Sequence, residues 1–262
     1  MMKKTIVITG STRGIGLEMA TEFSRLGHQV IINSRSEEAV SRTVADLAKL
    51  NPDVAGVHGS VSDELTHQRI AELSIKRFGK MDIWINNAGI PQPYKPIIEF
   101  RDSEIKDLID INIYGLVTGT RIAARQMVAQ GYGKIFNLAG FGSDGRTMNK
   151  LSLYGTSKRA VNYFTRAMAK ELKDSPVQIG ILSPGMVRTE FIQVPMKTAT
   201  PEEVKRFNKV QSILAEDAGV VAKFLVRRIL RSTRDYDRIE FLSKTRLLIR
   251  LIRMAGRGNS IL

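Results

Sequence analysis

The run KTIVITGSTRGIG, residues 4–16, constrains the fold more than any other stretch of the chain. Residues 5–9 are all β-branched, the composition of a strand. Glycines at 10, 14 and 16 follow at once, and a helical pattern begins near Gly14. A strand that turns directly into a helix is the first half of a βαβ unit, and that unit builds parallel sheet. The same alternation continues. QVIIN (29–33), DVAGVH (53–58), MDIWIN (81–86), GKIFNL (133–138) and VQIGIL (177–182) read as strands, with RIEFL (238–242) as a last one. Helices are expected to begin near Glu37, Asp63, Ile111 and Ser152. Because the strands are apolar almost without a break, the sheet is expected to be covered on both faces, an α/β architecture. With no linker, repeat or low-complexity run, residues 1–262 read as a single domain.

One further helix start is marked strongly. TPEE (200–203) puts Thr200 at the N-cap, Pro201 at the first helical position and Glu203 where it closes a capping box. It follows the sixth strand, after the break at Pro184-Gly185, where a lid over the carboxyl edge of the sheet is expected.

Bulk properties narrow the class. A 43% hydrophobic and 25% charged composition is that of a globular chain. There is no cysteine, so disulfides and thiolate metal sites are excluded, and His28, His58 and His67 form no ligand spacing. No metal site is expected. The start of the chain reads as a first strand rather than a signal peptide, and no run approaches the about 18 apolar residues of a membrane span. A cytoplasmic protein is expected. The net charge is +14, with 11 Lys and Arg against three acids from Val221 onward. A basic end on a near-neutral body points to a local role for that end, and the chain carries no recognised nucleic-acid motif. Within KTRLLIRLIRMAGR (244–257), Arg246, Arg250, Arg253 and Arg257 fall on one narrow face and apolar residues fill the remainder. Such a tail fits peripheral contact with an anionic membrane surface, or packing on a neighbouring subunit or over the active site.

TGSTRGIG (9–16) supplies small residues where a backbone can approach a pyrophosphate, with the following helix N-terminus facing its charge. Gly10, Ser11, Thr12, Arg13, Gly14, Ile15 and Gly16 are therefore candidate dinucleotide contacts. The second strand ends in Asn33, Ser34, Arg35 and Ser36, with no acid to bind ribose hydroxyls. Arg35 and Arg13 suit a 2′-phosphate, which favours NADP(H); two solvated arginines are the plain alternative. Further along, Tyr154 and Lys158 lie one helical turn apart. An ammonium beside a phenol is expected to favour the phenolate and bring its proton transfer toward neutral pH.

Taken in order, TGSTRGIG, NNAG (86–89), Asn112 in NIYG, YGTSK (154–158) and SPGMVRT (183–189) resemble the short-chain dehydrogenase/reductase family over residues 3 to 242. The resemblance implies a Rossmann-like, doubly wound, seven-stranded, mostly parallel sheet, a nicotinamide cofactor and hydride transfer at a carbonyl or alcohol carbon. It also implies that Asn86, Ala88 and Gly89 line the cofactor and that Asn112 holds a relay water behind Lys158. Pro184, Gly185, Val187 and Thr189 would grip the nicotinamide carboxamide, and homodimers or homotetramers are usual.

Two departures stand out. Ser60, beside Val61, replaces the family's acid at the adenine site. The family's catalytic serine falls on Phe141 or, in the other alignment, on Gly140, neither of which has a hydroxyl. Ser143 is the nearest candidate; Ser152 is expected to cap the helix and Ser157 to point off the Tyr/Lys face. FNLAGFGS and the basic apolar tail resemble the chlorophyll b reductase branch, which implies reduction of the 7-formyl group of a tetrapyrrole pigment. A reductase of other ketones, steroids or acyl substrates remains an open alternative, as does a non-enzymatic dinucleotide sensor.

Overall fold

The computed structural model describes residues 2–242; the basic tail at 244–257 lies outside the described residues. Nine strands are described: β1 (Thr5–Ile8), β2 (Gln29–Ser34), β3 (Val54–His58), β4 (Ile83–Asn86), β5 (Gly133–Leu138), β6 (Val177–Ser183), β7 (Val187–Arg188), β8 (Glu216–Asp217) and β9 (Tyr236–Glu240). The described α-helices are α1 (Gly14–Arg25), α2 (Glu37–Ala48), α3 (Glu64–Phe78), α4 (Asp102–Ile109), α5 (Gly115–Gln130), α6 (Ser152–Glu171), α7 (Glu190–Gln193), α8 (Pro201–Leu214) and α9 (Ala218–Arg231).

Seven strands form one parallel sheet in the order β3-β2-β1-β4-β5-β6-β9, while β7 and β8 pair separately. The continuous apolar runs have the expected cause. Ile6 and Ile8 of β1 pack with Phe23 of α1, Val40 of α2 and Leu225 of α9 on one face. Val7, between them, packs with Ile70 of α3 and Met127 of α5 on the other. With a side-chain period of two, a strand buried on both sides cannot alternate apolar with polar.

Thr200 caps α8 as expected: its hydroxyl accepts from the Glu203 N–H at 3.4 Å, and the Glu203 carboxylate accepts from the Thr200 N–H at 3.0 Å. Two helices differ from expectation. The helix placed near Ile111 begins earlier, as α4, and reaches α5 through a π-helical turn at Asp110–Tyr114. No element was expected over α9, whose Val220, Val221 and Val226 are poor helix formers. Asp217 starts it by accepting from the N–H groups of Gly219 and Val220, and a buried stripe of Val221, Leu225 and Ile229 holds it. Among the described residues, no helix is long and apolar enough to cross a membrane.

Candidate active site

The strand order reverses between β1 and β4, and the glycine loop lies at that switch point, where open α/β sheets hold ligands. Gly10 has φ +61°, and a Cβ there would sit 2.7 Å from the Cα of Ala88. The two backbones pack directly, and only glycine permits it. Asn87 locks the contact by donating to the carbonyls of Thr9 and Gly10, each at 2.8 Å. The Thr9 hydroxyl in turn accepts from the N–H groups of Asn87 and Ala88.

Arg13 occupies the N-cap of α1 without a side-chain hydrogen bond into the first turn. The N–H groups of Gly14, Ile15 and Gly16 thus keep the positive end of the helix open to an anion, with Thr12 beside them. These features fit a pyrophosphate. Arg13 is exposed and lies 3.5 Å from Glu190 across the loop; Arg35 is exposed at the end of β2.

Several residues of the expected cofactor set turn their side chains inward. Ser11 donates to the Ile8 carbonyl and accepts from the Asn33 N–H, bracing β1 against β2. Asn86 shares its face of β4 with Trp84, two residues away. Its side chain accepts from the Trp84 indole at 2.7 Å and donates to Thr120 and Asn137, deep in the core. The strand's period of two turns that side chain toward Thr120 and Asn137, so its amide is committed within the protein. Val187 is buried in the core and Pro184 beneath the edge of β6. Thr189 stands at the N-cap of α7, with its methyl 3.6 Å from where a Cβ on Gly14 would be. Ser34 accepts from the Gly59 N–H through its carbonyl, and the Ser60 hydroxyl pairs with that of Ser62 at 2.7 Å. Val61 is buried, its carbonyl bonded to His67.

The second half of the site gathers on α6. Lys158 is only 4% exposed, and its ammonium donates to the Leu138 carbonyl at 3.0 Å. A Cβ on Gly89 would lie 3.8 Å from that ammonium and 3.2 Å from the Asn112 Oδ1, so three distant motifs converge there. Asn112 sits in the π-helical turn, accepting from the Ile90 N–H at 2.8 Å and donating to the Ile90 carbonyl at 2.9 Å and the Ser157 hydroxyl at 3.3 Å. Ser157 is therefore an internal tie between α6 and Asn112, a part the residue pattern did not reveal. Ser152 is not the cap: it is the first residue of α6, and Leu151 holds the cap position with no side-chain bond.

The Tyr154 hydroxyl rests against Gly140. A Cβ at 140 would fall 2.4 Å from that hydroxyl and 3.1 Å from Lys158 Cγ, so the missing family hydroxyl has no room at this position. Phe191 of α7 faces the phenol, ring centroids 5.9 Å apart. The loop folds back so that the Ser143 N–H donates to the Gly140 carbonyl at 3.2 Å, while the Ser143 carbonyl accepts from Arg159 and Asn162. The Ser143 hydroxyl makes no hydrogen bond among the described residues, and so is uncommitted.

Burial pushes the Lys158 ammonium down to about 8 and pushes the Tyr154 phenol above its ordinary value. The lowered phenol pKa expected from the sequence is thus not found. The ammonium lies 5.8 Å from the ring centroid, and burial alone sets the direction of the phenol's shift. Among the described residues, no cluster of three His, Asp or Glu is arranged to hold a metal ion.

Residues 4–199 match the family model for short chain dehydrogenases. The chain belongs to the short-chain dehydrogenase/reductase family of oxidoreductases. Its relatives place it near the chlorophyll(ide) b reductases. It is 38% identical over 231 residues to the chloroplastic chlorophyll(ide) b reductase NOL of Oryza sativa subsp. japonica, covering 86% of this chain and 66% of that one. To the corresponding protein of Arabidopsis thaliana it is 38% identical over 230 residues, covering 86% and 64%. The chain thus spans a little under two thirds of the length of these relatives. An actinorhodin polyketide ketoreductase variant solved with NADPH shares the fold, with a TM-score of 0.81 at 22% identity over 93% of this chain and 97% of that one.

Two outcomes follow from the packing around Lys158. Gly140→Ala forces the phenol or the lysine stem aside and costs about 1–3 kcal/mol of stability, read from the urea midpoint. Between pH 8 and the ordinary lysine value, the unfolded chain binds a proton at Lys158 that the folded chain has released. Folding stability therefore rises with pH across that window through this group. Urea titrations at pH 7.5 and 9.5 should show a rise in the wild type that Lys158→Met lacks; equal slopes in the two proteins would contradict the buried ammonium.

Proposed function

We propose that this protein is an NADPH-dependent carbonyl reductase acting on the formyl group of a chlorophyll(ide) b-like tetrapyrrole. The observation that carries the reading is the Tyr154 hydroxyl held against side-chain-free Gly140, beside the buried Lys158, at the sheet edge where the glycine loop opens. NADPH, when bound, supplies the hydride for the carbonyl carbon. Tyr154 supplies the proton for the carbonyl oxygen, so that C=O becomes CH–OH. The upward push on its pKa keeps the phenol protonated at neutral pH, the state that a reduction requires. Lys158 binds the nicotinamide ribose and favours the phenolate left after transfer. Asn112 supports the relay that returns the proton, and the uncommitted Ser143 hydroxyl is the candidate second donor to the substrate oxygen. Pro184, Gly185, Val187 and Thr189 offer backbone and hydroxyl groups to the carboxamide.

The substrate side supports a large apolar ligand. Phe191 faces the phenol. Gly140 lets the phenol oxygen sit directly against the backbone, the position to which a flat ring system would bring its aldehyde edge-on. The identity to chlorophyll(ide) b reductases adds to this reading. The groove between α5 and α6, about 620 Å³ and lined by Val117, Phe164 and Met168 together with Arg121, Arg125 and Glu171, offers apolar and charged groups to a second copy of the chain.

The test is NADPH oxidation across a panel containing a formyl-bearing tetrapyrrole, diacetyl, a 3-ketosteroid and a 3-ketoacyl thioester. Turnover of the tetrapyrrole alone is expected, and Tyr154→Phe should lower kcat by at least about 10²-fold with NADPH binding intact. Turnover of another panel member instead moves the substrate assignment, and tight NADPH binding with no turnover of any makes the protein a sensor. Arg35→Ala should raise KM for NADPH about tenfold or more and leave NADH unchanged, since it removes a charge-assisted pair to the 2′-phosphate.

A further inference from the structure

Gln92, in the loop after β4, is a polar side chain only 1% exposed. Both ends of that amide are engaged. Its oxygen accepts from the backbone N–H of Tyr154 at 2.5 Å, and its nitrogen donates to the Lys150 carbonyl at 2.6 Å. The first bond is explained by α6 itself. Leu151 cannot cap the helix, and the first backbone bond runs from the Gly155 N–H to the Leu151 carbonyl. The Tyr154 N–H therefore has no partner within the helix. Gln92 provides one from 62 positions away.

The second bond explains an outlier. Lys150 is the one residue other than glycine with a positive φ, 61°, among the described residues. A Cβ disfavours that conformation, so the surroundings must impose it. Gln92 holds the carbonyl of Lys150, and Glu203, in the first turn of α8, pairs with its ammonium at 2.6 Å. The same ammonium lies 5.3 Å above the Tyr94 ring, two residues beyond Gln92. The loop after β4, the turn before α6 and the start of α8 thus meet around one residue, and Gln92 carries their joint grip to Tyr154.

We propose that Gln92 is a positioning residue for Tyr154: it fixes the first turn of α6 and so the place of the phenol against Gly140. The contact it protects is tight, since a Cβ at 140 would lie 2.4 Å from the phenol oxygen. A small slip of the first turn moves the proton donor relative to the substrate oxygen. Glutamine suits both partners because one needs an acceptor and the other a donor. Asparagine is one methylene too short to span them, and glutamate would set a carboxylate against the Lys150 carbonyl.

The catalytic consequence rests on the reductase reading above; the hydrogen bond itself does not, and the test keeps the two apart. Gln92→Met, of similar volume but without polar atoms, is made in the wild type and in Tyr154→Phe. Amide exchange at the start of α6, kcat, KM and NADPH affinity are then measured. Expected are faster exchange of the Tyr154 N–H, a kcat about 10- to 100-fold lower in the wild-type background, NADPH affinity within twofold, and less than a twofold further loss on Tyr154→Phe. That last result follows because a residue acting through Tyr154 has nothing left to position. An equal loss in both backgrounds means general damage and overturns the proposal, as does an unchanged kcat in an active enzyme. If the wild type reduces no carbonyl of the panel, the reductase reading fails, and unchanged exchange at Tyr154 then still overturns the role of Gln92. Should Gln92→Met not fold, Gln92→Asn carries the same measurements.

Discussion

A lysine ammonium sealed inside the protein is the constraint around which the site is organised. Moving a charge out of water is expensive, and a structure keeps it only by surrounding it with oriented dipoles. Here the carbonyl at the end of β5 takes the ammonium directly, and Gly89 brings the end of β4 to within a methyl group of it. Asn112 is reached through the same glycine. The parallel sheet supplies these groups because its strands all run the same way, so the carbonyls and loops that follow β4 and β5 converge at one edge. Burial then leaves the lysine poised near neutrality and the neighbouring phenol protonated, a pairing suited to giving a proton rather than to storing a phenolate.

The absence of a side chain at position 140 is the second organising fact. Where the family resemblance leads one to look for a serine, the backbone itself fills the space against the phenol and the lysine stem. The loop then turns back, and its Ser143 carbonyl is clasped by Arg159 and Asn162 on the next stripe of α6. The phenol therefore lies between a floor of backbone and the ring of Phe191.

Buried polar groups play two separate parts on the two faces of β4. Ala88 and Gly89 present backbone to the cleft, while Asn86, Trp84, Asn137, Thr120 and Thr165 form a closed hydrogen-bonded string beneath α5 and α6. Such strings are costly if incomplete and rigid if complete. This one keeps β4 and β5 in register under the helix that carries Tyr154. Asn87, between the two faces, ties the glycine loop to the same strand.

Much of this was legible along the chain. Strands buried on both faces declare themselves by unbroken apolar runs, the glycine loop by its place between a strand and a helix, and α8 by the cap and capping box at Thr200 and Glu203. Tyr154 and Lys158 were legible because one helical turn relates them. What stayed hidden was whatever depends on residues far apart in sequence. The start of α9 rests on a local cap, but its length rests on burial against α1 and the sheet, which outweighs its poor helix formers. The inward turn of Asn86 needed the register of β4 and β5. The hydroxyl-free contact at Gly140, the tie from Ser157 to Asn112 and the grip of Gln92 on Tyr154 and Lys150 join loops that no periodicity links. The chain by itself determined the layers, the parallel sheet and the identities of the chemical groups, since these follow from local pattern and period. Only the tertiary structure decided which of those groups face one another and how buried they are, because distance and desolvation, which set both geometry and proton affinity, exist only once the loops have met.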